Sequence, residues 1–160
     1  MLVSFHSLPG NSRIWIYQAS RLITKSEKET IESSVTTFLE SWTAHDATLK
    51  AGFEIIYDLF VVIGVDESFN NASGCSIDKQ VNFMKVIGEK TDIDFFNRMR
   101  ISWMQDDQLH QQPLTEFTAS INQGSVKGNV IVFNNLVRNM NEFKTSWKQP
   151  LQESWIQTVL

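Results

Sequence analysis

The longest uninterrupted apolar run in the chain, Leu59-Phe-Val-Val-Ile-Gly-Val65, is far shorter than the roughly 18 residues of a membrane-crossing helix. Its β-branched content reads as a strand over Phe60 to Val65. A second strand-like run, Gly52-Phe-Glu-Ile-Ile-Tyr57, precedes it across Asp58-Leu59. That separation suits a hairpin, although Asp-Leu is not a favoured two-residue turn.

The flanking segments extend the pattern. Arg13-Ile-Trp-Ile-Tyr-Gln-Ala19 alternates and is rich in β-branched and aromatic residues, which predicts a strand. Overlapping capping boxes, Thr24-x-x-Glu27 and Ser26-x-x-Glu29, open a segment with Ile31, Val35, Phe38, Leu39 and Trp42 at helical spacing. His45 then reads as a cation near the end of that helix. A second helix is expected from an N-cap at Ser76 to about Lys90, with Ile77, Val81, Met84 and Ile87 as its apolar stripe. Met99 to Gln105 reads as a further strand, with a turn at Asp106-Asp107 and a weaker strand at Leu109 to Gln112. In the last part, Thr115 is expected to cap a short helix stopped by Gly124, Val130 to Phe133 to be extended, Glu142 to Trp147 helical, and Trp155 to tether the tail.

The element order β-α-β-β-α-β predicts an α+β fold of the ferredoxin-like kind. Two main helices would lie on one face of an antiparallel sheet, and the C-terminal α/β extension would cover the other face or an edge. At 160 residues, one self-sufficient domain over 1–160 is expected.

Composition narrows the function. A net charge of −4 argues against a domain that tracks a phosphate backbone. The cations Lys127, Arg138, Lys144 and Lys148 are too dilute for a nucleic-acid patch. One cysteine allows no internal disulfide, and the N-terminus lacks the pattern of a secretion signal, so a cytoplasmic protein is expected. His6, His45 and His110 lack metal-ligand spacing, and no cofactor is expected.

The connection Asp66-Glu-Ser-Phe-Asn-Asn-Ala-Ser-Gly-Cys-Ser-Ile-Asp78 concentrates small and polar residues between a strand and a helix. Asp66, Glu67, Ser68, Asn70, Ser73 and Ser76 are its candidate ligand-binding residues. It is not a calcium loop, because Asn71 and Ile77 stand where Gly and Glu are required. Cys75, near a helix N-terminus, is a candidate nucleophile, with His45 as base and Asp78 or Asp66 orienting it. The alternative is a small residue suited to a tight turn into the helix. Trp147 and Trp155 are candidates for a groove or a homodimer surface.

Asn11 to Gln18, Trp42-Thr-Ala-His45, Val65 to Ser68, Ala72-Ser-Gly-Cys-Ser-Ile-Asp78 and Ile131 to Leu136 together resemble a small uncharacterised bacterial family. Its members often carry the label "ABC transporter ATPase". The resemblance runs over nearly the whole chain and carries over no residue's role. An ATPase of that class needs Gly-x4-Gly-Lys-Ser/Thr, whose amides cradle the phosphates while Lys neutralises them. Gly124-Ser-Val-Lys-Gly128 has the wrong spacing. The leading expectation is therefore a non-catalytic domain binding a small ligand or a protein, or acting as a regulator. The alternatives are a thiol-dependent enzyme using Cys75 and a subunit of a larger assembly.

Overall fold

The Thr24 hydroxyl accepts from the Glu27 amide while the Glu27 carboxylate accepts from the Thr24 amide, satisfying two donors that a helix N-terminus otherwise leaves orphaned. From that box, helix α1 runs Lys25–Glu40 in the computed structural model, which describes all of residues 1–160. Ile31, Val35 and Leu39 recur on one face and are buried. Trp42 is buried too, but it lies past the helix end, whose C-cap is Ser41.

Helix α2, Gly74–Thr91, begins earlier than expected, because Ser73 and not Ser76 is its N-cap. The two serines exchange hydrogen bonds in a second capping box. Its buried stripe is also rotated, to Ser76, Gln80, Met84, Ile87 and Thr91, while Ile77 and Val81 are only half-buried. The polar members of that stripe each have at least one internal partner, although Gln80 Nε2 has none. The Ser76 carbonyl accepts from Trp42 Nε1, Gln80 Oε1 from Tyr17 Oη, and Thr91 Oγ1 donates to the Ile87 carbonyl.

Three antiparallel strands, β1 (Arg13–Gln18), β4 (Ala51–Ile56) and β5 (Phe60–Val65), form a sheet in the order β1-β5-β4. A small hairpin, β2 (Thr43–Ala44) and β3 (Ala47–Thr48), lies between α1 and β4 in sequence. Side chains alternate between the two faces of a strand. Trp15 and Tyr17 reach toward the helices, meeting Trp42 edge-on at 6.1 Å and bonding Gln80. On the opposite face, Phe60 packs against Phe133 and Trp147 at 4.9 and 5.0 Å. There Gly64 leaves room for Leu8 and Ile14, whose side chains a Cβ would meet at 2.7 and 3.0 Å. With both faces covered, every residue of β5 is buried, and so its sequence is apolar throughout rather than alternating.

The fold is thus a mixed α+β structure with antiparallel sheets. Strand β6 (Arg100–Gln105), which was expected to complete the βαββαβ unit, lies inside a second sheet with β7 (Gln108–Pro113), β8 (Ile131–Phe133) and β9 (Lys148–Pro150), in the order β7-β6-β8-β9. The outer side of β1 is partly occupied by another segment. Ile14 N–H donates to the Arg138 carbonyl and Met140 N–H to the Ser12 carbonyl, both at 2.9 Å.

Helix α3, Leu114–Asn122, starts directly after Pro113 with no side-chain cap, so Thr115 does not cap it. Helix α4, Met140–Ser146, is capped by Asn139. The tail is fastened by Leu151 and Ile156, both buried, while Trp155 is 41% exposed. Trp147 is likewise a core residue, hydrogen-bonded through Nε1 to Asn135. No helix is long and apolar enough to cross a membrane.

Candidate functional site

The Asp66–Asp78 connection begins at the end of β5, and most of its polar side chains bond within the protein. Asp66 is buried, accepts from the Ser68 amide and hydroxyl, and pairs with Lys50 Nζ at 3.4 Å. The Ser68 hydrogen bonds, followed by Lys50, hold the Asp66 carboxyl below its ordinary pKa against the opposing effect of burial. Glu67 accepts from the Ala72 amide at 3.1 Å, and its other oxygen lies 4.0 Å from Arg13. Asn70 Nδ2 donates to the Thr48 carbonyl at 2.7 Å, tying the loop to β3. Ser73 and Ser76 are spent on the α2 capping box. All six candidate ligand-binding residues therefore make hydrogen bonds within the protein.

The loop points one aromatic side chain outward. Phe69 is 50% exposed in the middle of a segment whose neighbours are held by their own hydrogen bonds. It was absent from the candidates read from sequence, although an aromatic residue among Asp, Glu, Ser and Asn is itself a signal. Loops are where binding residues concentrate when a scaffold positions them.

The thiol constellation is not joined. Cys75 is the second residue of α2 and is exposed; Asp78 and His45 are exposed as well. No hydrogen bond links any two of the three side chains, and Asp66 is engaged by Ser68 and Lys50. His45 does not cap α1. It occupies the turn of the β2–β3 hairpin, where His45 and Asp46 take φ of 50° and 62°, both positive as that mirror-image turn demands.

The other histidines are apart from this region. His6 Nε2 lies 3.4 Å from Glu54, and His110 stacks on Trp103. No three His, Cys, Asp or Glu side chains stand together in a way that could hold a metal ion.

A polar seam between the two sheets also escaped sequence reading. Gln18 Oε1 accepts from Ser102 and Asn135, and Gln18 Nε2 donates to the Arg100 carbonyl. Gln111 Nε2 donates to the Ala19 carbonyl, while its oxygen accepts from Arg100 Nε. These amides bridge the end of β1 to β6 and β7, and their partners account for them as structure. Comparison with known protein families, with curated proteins and with solved structures finds no match to this chain.

Proposed function

We propose that this chain is a non-catalytic binding domain that presents the Asp66–Asp78 loop to a protein partner, with Phe69 as the anchor. One observation carries this reading: a half-exposed aromatic ring sits on a loop in which Asp66, Glu67, Ser68 and Asn70 already bond within the protein. A small-ligand site needs convergent polar groups that are still free to bond, and here those groups are in use. A protein contact needs an aromatic that buries area at little entropic cost, held by a backbone that is already ordered.

The acidic balance of the chain supports a protein partner over nucleic acid, and we place the protein in the cytoplasm. We further read the β1-β5-β4 sheet with α1 and α2 as a ferredoxin-like unit whose fourth strand has been diverted into the second sheet. The ATPase label is set aside, because no segment of the sequence supplies the phosphate-cradling spacing.

Cys75, exposed at the end of the loop, gives the test. A photoreactive group attached to Cys75 is expected to yield a discrete cross-linked adduct in a lysate, and Phe69→Ala is expected to abolish it. Val86→Ala, also at an exposed apolar position, should leave it intact. An adduct indifferent to Phe69→Ala would overturn this reading.

A further inference from the structure

Strand β4 is an edge whose main-chain groups are only partly used. Ala51 N–H donates to the Met1 carbonyl at 3.0 Å, and the Ala51 carbonyl accepts from Val3 N–H at 2.8 Å. These bonds fix the outward direction at Ala51, and alternate residues of a strand point their N–H and C=O the same way. Phe53 and Ile55 therefore face outward too.

The only strand that pairs with β4 in its sheet is β5. The N-terminal segment leaves the edge after Val3 and crosses over Gly52, where a Cβ would fall 2.6 Å from the Val3 carbonyl oxygen. The N–H and C=O groups of Phe53 and Ile55 are thus left without a protein partner. Such a row is satisfied by water or by an added strand.

The surroundings select the occupant. A hollow of about 420 Å3 lined by Leu2, Phe5, His6 and Phe53 lies beside this edge and can take a side chain. The border is acidic. Lys28 pairs with Asp58 in the β4–β5 turn at 3.3 Å, which places the Lys28 stripe of α1 on this side of the molecule. Helical spacing continues that stripe through Glu32 and Thr36 to Glu40; burial lowers the pKa of the Met1 ammonium at the other end, and the Glu40 carboxylate partly opposes that shift. Glu54 adds a third unpaired or weakly paired carboxylate from β4 itself.

We propose that β4 accepts an extended, basic segment of a partner protein as a fourth strand, bonded to the main chain of Phe53 and Ile55 and flanked by Glu32, Glu40 and Glu54. A second copy of this chain fits less well, since two-fold pairing centred on this stretch would bring two Glu54 side chains face to face. The surface is separate from the Phe69 loop, so either can fail without the other.

The test uses the peptide acetyl-Lys-Val-Lys-Thr-Lys-Val-Lys-amide, the same sequence N-methylated at alternate residues, and a version with Glu for every Lys. Saturable binding weakened by salt is expected for the first. It should slow amide hydrogen exchange at Phe53 and Ile55 by about tenfold or more, with a similar loss of affinity on N-methylation. Phe53→Pro should also abolish binding, and if that variant does not fold, the N-methylated peptide answers the same question on the native protein. The proposal is overturned by no saturable binding up to millimolar peptide, by binding that leaves those two amides unprotected, or by equal binding of the N-methylated or glutamate peptide. A doubled mass that protects the same amides without peptide would also overturn it, in favour of self-pairing.

Discussion

Tyr17 Oη donates to Gln80 Oε1 at 2.7 Å, and this bond links strand β1 of the β1-β5-β4 sheet to α2 in the core. Burial raises the Tyr17 pKa, which keeps the phenol neutral and donating. The other half of the amide, Gln80 Nε2, has no partner. Removing the phenol strands a buried acceptor, so Tyr17→Phe should cost about 1–3 kcal/mol. Tyr17→Phe with Gln80→Met removes both polar ends at similar volume and should lie closer to wild type than Tyr17→Phe alone. Urea midpoints of the four proteins in a double-mutant cycle measure this; additive single costs would show that the bond contributes nothing specific.

The α1 capping box predicts an acid-sensitive contribution. The Arg21 hydrogen bond, then the Thr24 amide, lowers the Glu27 carboxyl from 4.5 to about 2. The folded form therefore keeps its charge where the unfolded form has taken up a proton. The stabilisation is complete above the unfolded pKa and is lost as pH falls from about 4.5 toward about 2. Glu27→Gln keeps an acceptor for Thr24 but no titrating group. Wild type should be the more stable protein at pH 6, and the gap should shrink between pH 5 and pH 2 in paired denaturation curves. A gap independent of pH would mean that the ion pair with Arg21 is not the cause.

What could be read in advance follows from which forces are local. Caps and turns are encoded by neighbours, so the Thr24 box, the strand at Arg13, the pairing of the two runs on either side of Asp58 and the Asp106-Asp107 turn were legible, although the hairpin connection is Tyr57–Leu59 rather than Asp58-Leu59. Three hairpin turns nevertheless use non-glycine pairs at positive φ, among them Tyr57-Asp58 at 55° and 50°, which left the turn type open. Sheet partnership was not legible. Whether β6 joins β1 or β8 depends on where the Arg138–Met140 segment lies, a contact from more than a hundred residues away. The same limit explains Gln80, whose buried place depends on a distant tyrosine. It also explains Trp155, which looked like an anchor until Ile156 took that position in the core.

Phe38 and Leu39 are neighbours on α1 with different surroundings. Leu39 is wholly buried, whereas Phe38 is half-buried and stacks on Phe83 of α2 at 4.5 Å, with the rings 11° from parallel. Its ring also lies 5.5 Å from Trp42, so it is covered by α2 and Trp42 rather than directly by the sheet. Leu39→Ala should cost about 2–5 kcal/mol. Phe38→Ala should fall below the 3–5 kcal/mol of an enclosed ring, at roughly 2 kcal/mol, because solvent already reaches it. Equal shifts in the urea midpoint would mean that the α1–α2 seam is as tightly closed as the sheet-facing core.

Cys75 distinguishes the binding domain from the thiol enzyme. Its side chain is exposed at the second position of α2, and neither His45 nor Asp78 is hydrogen-bonded to it or to the other. Gly74 beside it has open space where a Cβ would stand, so the turn imposes no close packing there. An alkylating reagent should therefore modify Cys75 in the folded protein without prior unfolding. The rate should be unchanged by His45→Ala, since a base that does not reach the sulfur cannot assist its ionisation. Cys75→Ser should alter stability by no more than about 0.5 kcal/mol, as expected for an exposed site without a structural duty. A large fall in alkylation rate on His45→Ala, measured across pH 6 to 9, would show that the two side chains meet in solution and would restore the nucleophile reading. If the rate holds, the exposed thiol serves only as a point of attachment beside Phe69, and recognition rests on the shape of the loop.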